Sequence, residues 1–275
     1  MEYLKGKPVA DKLKEEIIEA LKGRDRMPRL AIVRAGESAD DVYYENSATK
    51  RLESMGLRVS SNVFSEETVE EDFKNEFIKI NEDPDIDGIL VLRPFPKQLK
   101  AAEKWIETAI DPEKDVDCIS PVNIAGVMTG DDKAFAPCTA QAVMEICKFY
   151  GVDLCGKRVT IIGRSMVVGK PLAMLMMKAN ATVTVCHTKT VDLAGAAKNA
   201  DIVVAAAGRK GLVNKDFLSE GQLVIDVGTN VDADGKLYGD CDYQGADDMN
   251  IKATPVPGGV GSVTTTVLAK HLVLK

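Results

Sequence analysis

The sequence predicts an α/β protein made of two parallel sheets wound one after the other, and three observations carry the prediction. Short apolar and β-branched runs alternate with helical patterns over most of the chain. The strand-like runs are bounded by Gly, Pro or polar turns. One stretch in the second half, VTIIGRSMVVGKP from Val159 to Pro171, reads as a buried strand, a tight turn and the start of a helix.

Taken in order, Pro8 to Leu21 is amphipathic, Arg29 to Gly36 is strand-like, and Asp40 to Met55 is helical with Gly56 as its stop. Leu57 to Phe64 reads as a strand, Val69 to Ile80 as a helix and Asp87 to Leu92 as another strand, so a parallel sheet is expected. Arg93 to Leu99, RPFPKQL, is a proline-punctuated loop leaving the carboxyl end of a strand, where open α/β sheets bind ligands. The polar, irregular stretch Asp111 to Asn123 marks the expected domain junction. Thr139 to Tyr150 is helical, and strands follow near Val159–Ile162, Thr182–Cys186, Ile202–Ala206 and Leu223–Val227 with helices between them. That alternation predicts a doubly wound sheet. Lys252 to Thr266 is a Gly/Pro loop, and about Val263 to Leu274 is a helix expected to return to the first domain.

With 275 residues the chain can bury two separate cores. A net charge of −7 argues against a nucleic-acid partner. The start MEYLKGKPVADKL has no signal or transit pattern, and no apolar run approaches the ~18 residues of a membrane span, so a cytoplasmic protein is expected. Six scattered cysteines without a C-x-x-C pair, and two histidines, point away from a metal site, a disulfide framework or a catalytic triad.

The turn at Gly163 is not a standard nucleotide motif. A dinucleotide fingerprint needs glycines at offsets zero, two and five; here Ser165 stands at offset two and Gly169 at offset six. A P-loop needs Ser or Thr after its Lys, where this chain has Pro171, and a hydrolase elbow needs Gly where Val167 stands. Dinucleotide binding and a merely tight turn both remain open from spacing alone. The strand after the turn ends in His187, Thr188 and Lys189, where an NAD site commonly has a carboxylate for the ribose. A hydroxyl and a cation there, with Arg164 in the turn, favour NADP, with NAD as the other possibility. Read one at a time, the same residues are ordinary solvated loop positions. AAAGRKG from Ala205 to Gly211 and DVGTN from Asp226 to Asn230 are small-residue turns that let a ligand approach backbone closely.

Gly163-Arg164-Ser165 with Val168-Gly169 and Pro171, together with CHTKT, DVGTN, PEKDVD (Pro112 to Asp117), PCT (Pro137 to Thr139) and TPVPGGVG (Thr254 to Gly261), closely resemble the methylenetetrahydrofolate dehydrogenase/cyclohydrolase family over essentially the whole chain. The resemblance implies an N-terminal α/β folate domain, residues 1–120 completed by 260–275, and a Rossmann-like NADP domain, residues 121–259, with a cleft between them. It also implies tetrahydrofolate derivatives as substrates and a homodimer. Carried over by position, Tyr44 matches a folate-side tyrosine and Asp117 the aspartate that bonds the pterin. Gly163, Arg164, Ser165, Thr188 and Thr229 match cofactor contacts, and Pro257, Gly258 and Gly259 match a ligand-lining loop. Core packing for Tyr44 and turn formation for Asp117 are the plainer alternatives.

The departures from the family pattern are specific. The catalytic lysine one helical turn after Tyr44 is replaced by Ala48, and the glutamine that pairs with it by Leu92. Lys50 is no substitute, because two further residues rotate it roughly 200° around the helix. Arg93 stands where an apolar residue is usual, Cys118 where Gly is, Thr188 where Ser is, Thr229 where Ile is, and Ser262-Val263 where Pro-Met is. Hydride transfer from the methylene carbon chiefly needs positioning and tolerance of a cation. Opening the methenyl bridge needs proton transfer, which Ala48 cannot perform. The expectation is a working dehydrogenase whose cyclohydrolase activity is absent or weakened, unless Arg93, bound water or Tyr44 substitutes. An oxidoreductase for another small substrate and a catalytically impaired folate- or nucleotide-binding protein are the competing readings.

Overall fold

The computed structural model describes residues 1–246 and 248–274. The strands are β1 (Glu2–Tyr3), β2 (Arg29–Ala35), β3 (Arg58–Phe64), β4 (Gly88–Val91), β5 (Arg158–Ile162), β6 (Thr182–Cys186), β7 (Ile202–Ala205), β8 (Leu223–Asp226), a short antiparallel pair β9 (Asn230–Val231) and β10 (Leu237–Tyr238), and β11 (Lys252–Ala253). The helices are α1 (Gly6–Leu21), α2 (Ala39–Glu53), α3 (Glu70–Glu82), α4 (Lys100–Ala109), α5 (Pro121–Thr129), α6 (Cys138–Phe149), α7 (Gly169–Lys178), α8 (Leu193–Lys198) and α9 (Thr264–Val273). The chain divides into two compact units. One is Leu13–Cys138 with Thr265–Lys275, here the first-half unit; the other is Met1–Lys12 with Thr139–Thr264, the second-half unit.

These bounds differ from the expected 1–120 and 121–259. Backbone pairing draws the amino terminus into the second-half unit: β1 lies parallel to β11, and the Gly6 N–H donates to the Gly258 carbonyl at 2.8 Å. Residues just past 120 stay with the first-half unit because the buried Asn123 side chain donates to the Asp115 carboxylate and to the Pro112 carbonyl, both at 2.9 Å. Ser120 caps α5 and Pro121 opens it, so the stretch expected to be irregular ends in a helix.

In the first-half unit the sheet order is β3-β2-β4, all parallel. Ala31, Val33, Ala35, Ile89 and Val91 pack with Phe73, Phe77, Leu99 and Ile106 of the α3–α4 side. Alternation therefore turns Leu30, Ile32, Arg34, Gly88, Leu90 and Leu92 to the opposite face. On that face α9 comes so close that a Cβ at Gly88 would stand 2.7 Å from the Leu272 side chain. Phe73 centres the α3–α4 layer, with edge contacts to Phe64 at 4.5 Å and Phe95 at 5.3 Å.

In the second-half unit a six-stranded sheet runs β1-β11-β8-β7-β5-β6, with every pairing parallel. β5 has β6 on one side and β7 on the other, so the chain reverses its winding direction there. β2 stands in the same position between β3 and β4. Ligand sites of open parallel sheets form at the carboxyl ends of such strands.

Truncating Phe73 to Ala should destabilise the first-half unit by about 3–5 kcal/mol. The single tryptophan, Trp105, packs edge-on against Phe77 at 5.8 Å, so its fluorescence in a urea titration reads this unit.

Candidate functional site

The second-half unit gathers the expected cofactor residues at one sheet edge. The Gly163 N–H donates to the Cys186 carbonyl at 2.9 Å, Ala206 N–H to Ile162 at 2.8 Å and Val227 N–H to Ala205 at 2.8 Å, so the turns after β5, β6, β7 and β8 leave the same edge. Gly163 has φ +131°, and a Cβ there would lie 2.0 Å from the Ala206 carbonyl oxygen. A Cβ at Gly169 would lie 2.1 Å from the Gly163 oxygen. Only glycine lets these backbones close in, which seats the amino end of α7 against the turn. Ser165 Oγ accepts the Val168 N–H at 3.1 Å, while the N–H groups of Arg164, Ser165 and Met166 engage no acceptor among the described residues. Free N–H groups at a helix start, beside an exposed Arg164, fit the phosphates of a dinucleotide. Thr188, Lys189 and Thr229 are exposed in the neighbouring turns.

Two buried aspartates that the sequence reading passed over hold these turns from behind. Asp240 accepts N–H bonds from Ala207 at 2.6 Å, Gly208 at 2.9 Å and Arg209 at 2.8 Å, and a fourth bond from the Asn230 side chain at 2.9 Å. Asp226 accepts from the N–H groups of Gly228, Asp240 and Cys241, each at 2.9 Å. Burial pushes the Asp226 carboxyl above its ordinary range, against the pull of those three bonds. The legible signal was the Asp that opens DVGTN, read only as part of a small-residue turn; GDCDY, which carries Asp240, offered none. Pro257, Gly258 and Gly259 follow β11 in the same unit, and a Cβ at Gly6 would lie 2.1 Å from the Gly259 oxygen.

The first-half unit brings Tyr44 and Asp117 together. Tyr44, on α2 and 36% exposed, hydrogen-bonds Thr265 on α9, and its hydroxyl is pushed up by burial and by the nearby Cys138 and Asp117. Asp117 Oδ1 accepts the Cys138 N–H at 2.9 Å. Burial raises its carboxyl, the Cys138 bonds lower it, Asp115 raises it further and Arg93 lowers it. Cys138 was singled out in sequence only as part of a motif; in the structure it is the group that fixes Asp117. Ala48 is fully buried and Leu92 is buried, so no ionisable group occupies either position. Lys50 is exposed, off the Glu45–Ala48–Leu52 stripe of α2. Arg93 pairs with Glu107 at 3.0 Å. No cluster of three or more His, Cys, Asp or Glu could hold a metal ion among the described residues.

Residues 4–117 match the family model for the tetrahydrofolate dehydrogenase/cyclohydrolase catalytic domain, and residues 137–275 match that for its NAD(P)-binding domain. The chain belongs to the tetrahydrofolate dehydrogenase/cyclohydrolase family. A relative from Alkaliphilus oremlandii, named bifunctional protein FolD, is 50% identical over 98% of this chain and 95% of its own. The crystal structure of the bifunctional dehydrogenase/cyclohydrolase FolD from Campylobacter jejuni superposes with a TM-score of 0.94 at 36% identity, covering 100% of this chain and 98% of that one. The Trypanosoma brucei FolD, solved with NADP cofactor and inhibitor, gives 0.89 at 34% identity over 98% and 95%. The two-domain α/β fold with a Rossmann-like parallel sheet is thus the fold of this family.

Asp117→Asn should stabilise the first-half unit at neutral pH. A carboxyl raised in the folded state contributes its full stability only below the unfolded value near 3.8, and loses it as the pH climbs through the folded value. Asn keeps an acceptor for Cys138 and carries no charge. Urea titrations followed at Trp105 should show the gain at about pH 7.5 and its disappearance towards about pH 4.

Proposed function

We propose that this chain oxidises 5,10-methylenetetrahydrofolate to 5,10-methenyltetrahydrofolate with NADP as hydride acceptor. The observation that carries the reading is the Gly163–Gly169 turn, with its free N–H groups and Arg164, in a chain that also keeps Tyr44 and Asp117. NADP supplies a nicotinamide that takes the hydride. The N–H groups of Arg164, Ser165 and Met166 and the Ser165 hydroxyl would hold the phosphates, Gly163 giving the turn its shape, and Thr229 lies at the next turn. Arg164, Thr188 and Lys189 favour a 2′-phosphate over a bare ribose hydroxyl. The NADP complex of the Trypanosoma brucei relative supports the same choice. On the folate side, the Tyr44 ring stacks on the substrate and Asp117 bonds the pterin, with Pro257, Gly258 and Gly259 as further substrate contacts.

Hydrolysis of the methenyl bridge is weak in this reading, because Ala48 and Leu92 put two buried apolar side chains where the family has a proton-transferring pair. A second reading, full bifunctionality through a substitute acid–base group, is favoured by the bifunctional name of the 50% identical relative.

Purified protein should form methenyltetrahydrofolate faster with NADP than with NAD, and 10-formyltetrahydrofolate should accumulate more slowly than the hydride is transferred. Ala48→Lys should raise methenyl hydrolysis about tenfold or more. Coupled formation of the formyl product at the rate of hydride transfer by the unaltered chain would select the second reading. Arg164→Gln should raise the KM for NADP about 10- to 100-fold, the loss of one charge-assisted contact, with little change for NAD.

A further inference from the structure

One buried ion pair stands at the carboxyl end of the first-half sheet. Arg34, the next-to-last residue of β2, donates through Nε to Glu45 Oε2 at 2.5 Å, and its guanidinium also bonds the Gly36 carbonyl. Arg34 is 9% exposed and Glu45 7%. Glu45 Oε1 is buried with no hydrogen-bond partner among the described residues. A purely structural ion pair inside a protein has its remaining lone pairs satisfied, since an unpaired buried oxygen is unfavourable. This pair keeps one proton-accepting atom unused.

The position of that atom is informative. Helical steps of 100° place Ala48 about 40° from Tyr44 and Glu45 about 100° from it, so Ala48 lies between the two around the helix. Helical side chains lean towards the amino end, and a long side chain at position 48 would cover the turn that carries Tyr44 and Glu45. Arg34 follows the Val33–Val91 pairing by one residue, as Leu92 does, so the two share a level and a face of the sheet. The pair therefore flanks both positions from which the ionisable residues are missing.

We propose that Glu45, held in place by Arg34, is the proton acceptor for opening the methenyl bridge in this chain. The proposal rests on the folate reading of Tyr44 and Asp117. The oxygen of a water forms a bond to the methenyl carbon, and a proton of that water passes to Glu45 Oε1. The bond from that carbon to N5 then breaks, Glu45 returns the proton to N5, and the hydroxyl proton of the adduct leaves to solvent as the formyl carbonyl forms. One water is consumed and one proton released, with the carboxylate regenerated.

The test compares methenyl hydrolysis with methylene oxidation in the same preparations. Glu45→Gln keeps the shape of the side chain and should lower the ratio of hydrolysis to oxidation about 100-fold. Glu45→Ala should regain hydrolysis when formate is added, with saturation, because a small carboxylate can occupy the space left. A double substitution, Arg34→Leu with Glu45→Val, replaces the pair by apolar residues, guards against a misfolded single variant and should lack hydrolysis. Trp105 unfolding checks the fold of each. A ratio within about threefold of the unaltered chain in a folded Glu45→Gln or double variant overturns the proposal, as does loss of both activities in step with stability without formate rescue. A chain that oxidises the methylene substrate but never hydrolyses the methenyl one overturns it and leaves the dehydrogenase reading standing. A chain that acts on neither overturns both.

Discussion

Buried aspartates gripping backbone N–H groups are the interaction on which both halves of this protein depend. Parallel strands end without hairpins, so the loops at their carboxyl ends have no ladder to order them. Here carboxylates do it. Asp240 and Asp226 collect seven donors between the turns after β7 and β8. Asp115 accepts the N–H groups of Ile119 and Ser120 at 2.9 and 2.8 Å, and Asp117 reaches across to Cys138. Each carboxylate satisfies main-chain groups that would otherwise be stranded away from water.

The same device divides the labour between the units. In the second-half unit the aspartates lie behind the turns, leaving the N–H groups of Arg164, Ser165 and Met166 free to meet an anion. In the first-half unit the restrained carboxylate, Asp117, is itself a candidate ligand group, and burial holds it above its ordinary range. The proposed substrate contact is thereby kept at some expense to the stability of the fold. Ala48 and Leu92 place buried apolar side chains where the family pattern has an ionisable or polar one, and the Asp117–Cys138 arrangement stands without them.

Much of the fold was legible because the signals were local. The second-half strands from β5 to β8 occupy the expected stretches to within a residue, as β-branched runs closed by glycine should, and α7 opens at Gly169 inside the stretch expected to start a helix. α4 and α5 were not foreseen. α4 opens directly after a proline-punctuated loop, and the apolar PVNIAGVMT of α5 carries no helical stripe. β1 and β11 have two residues each, too few for any periodicity, and exist because each finds a partner far away in sequence. At the site, Arg164 was readable from the turn after β5, and Tyr44, Ala48 and Asp117 only through the family resemblance. Asp240, Cys138 and the Arg34–Glu45 pair were not, since their importance lies in which distant N–H or carboxylate they meet.

The interleaving of the two units constrains how the chain emerges during synthesis. The first-half unit is made early, yet the sheet face at Gly88 is completed only when α9, far later in the chain, packs on it. β1 waits for β11, its partner strand at Lys252–Ala253. Each unit thus stays unfinished until a segment distant in sequence has been made, and the second-half unit, whose last segment runs to Thr264, can close before α9 completes the other.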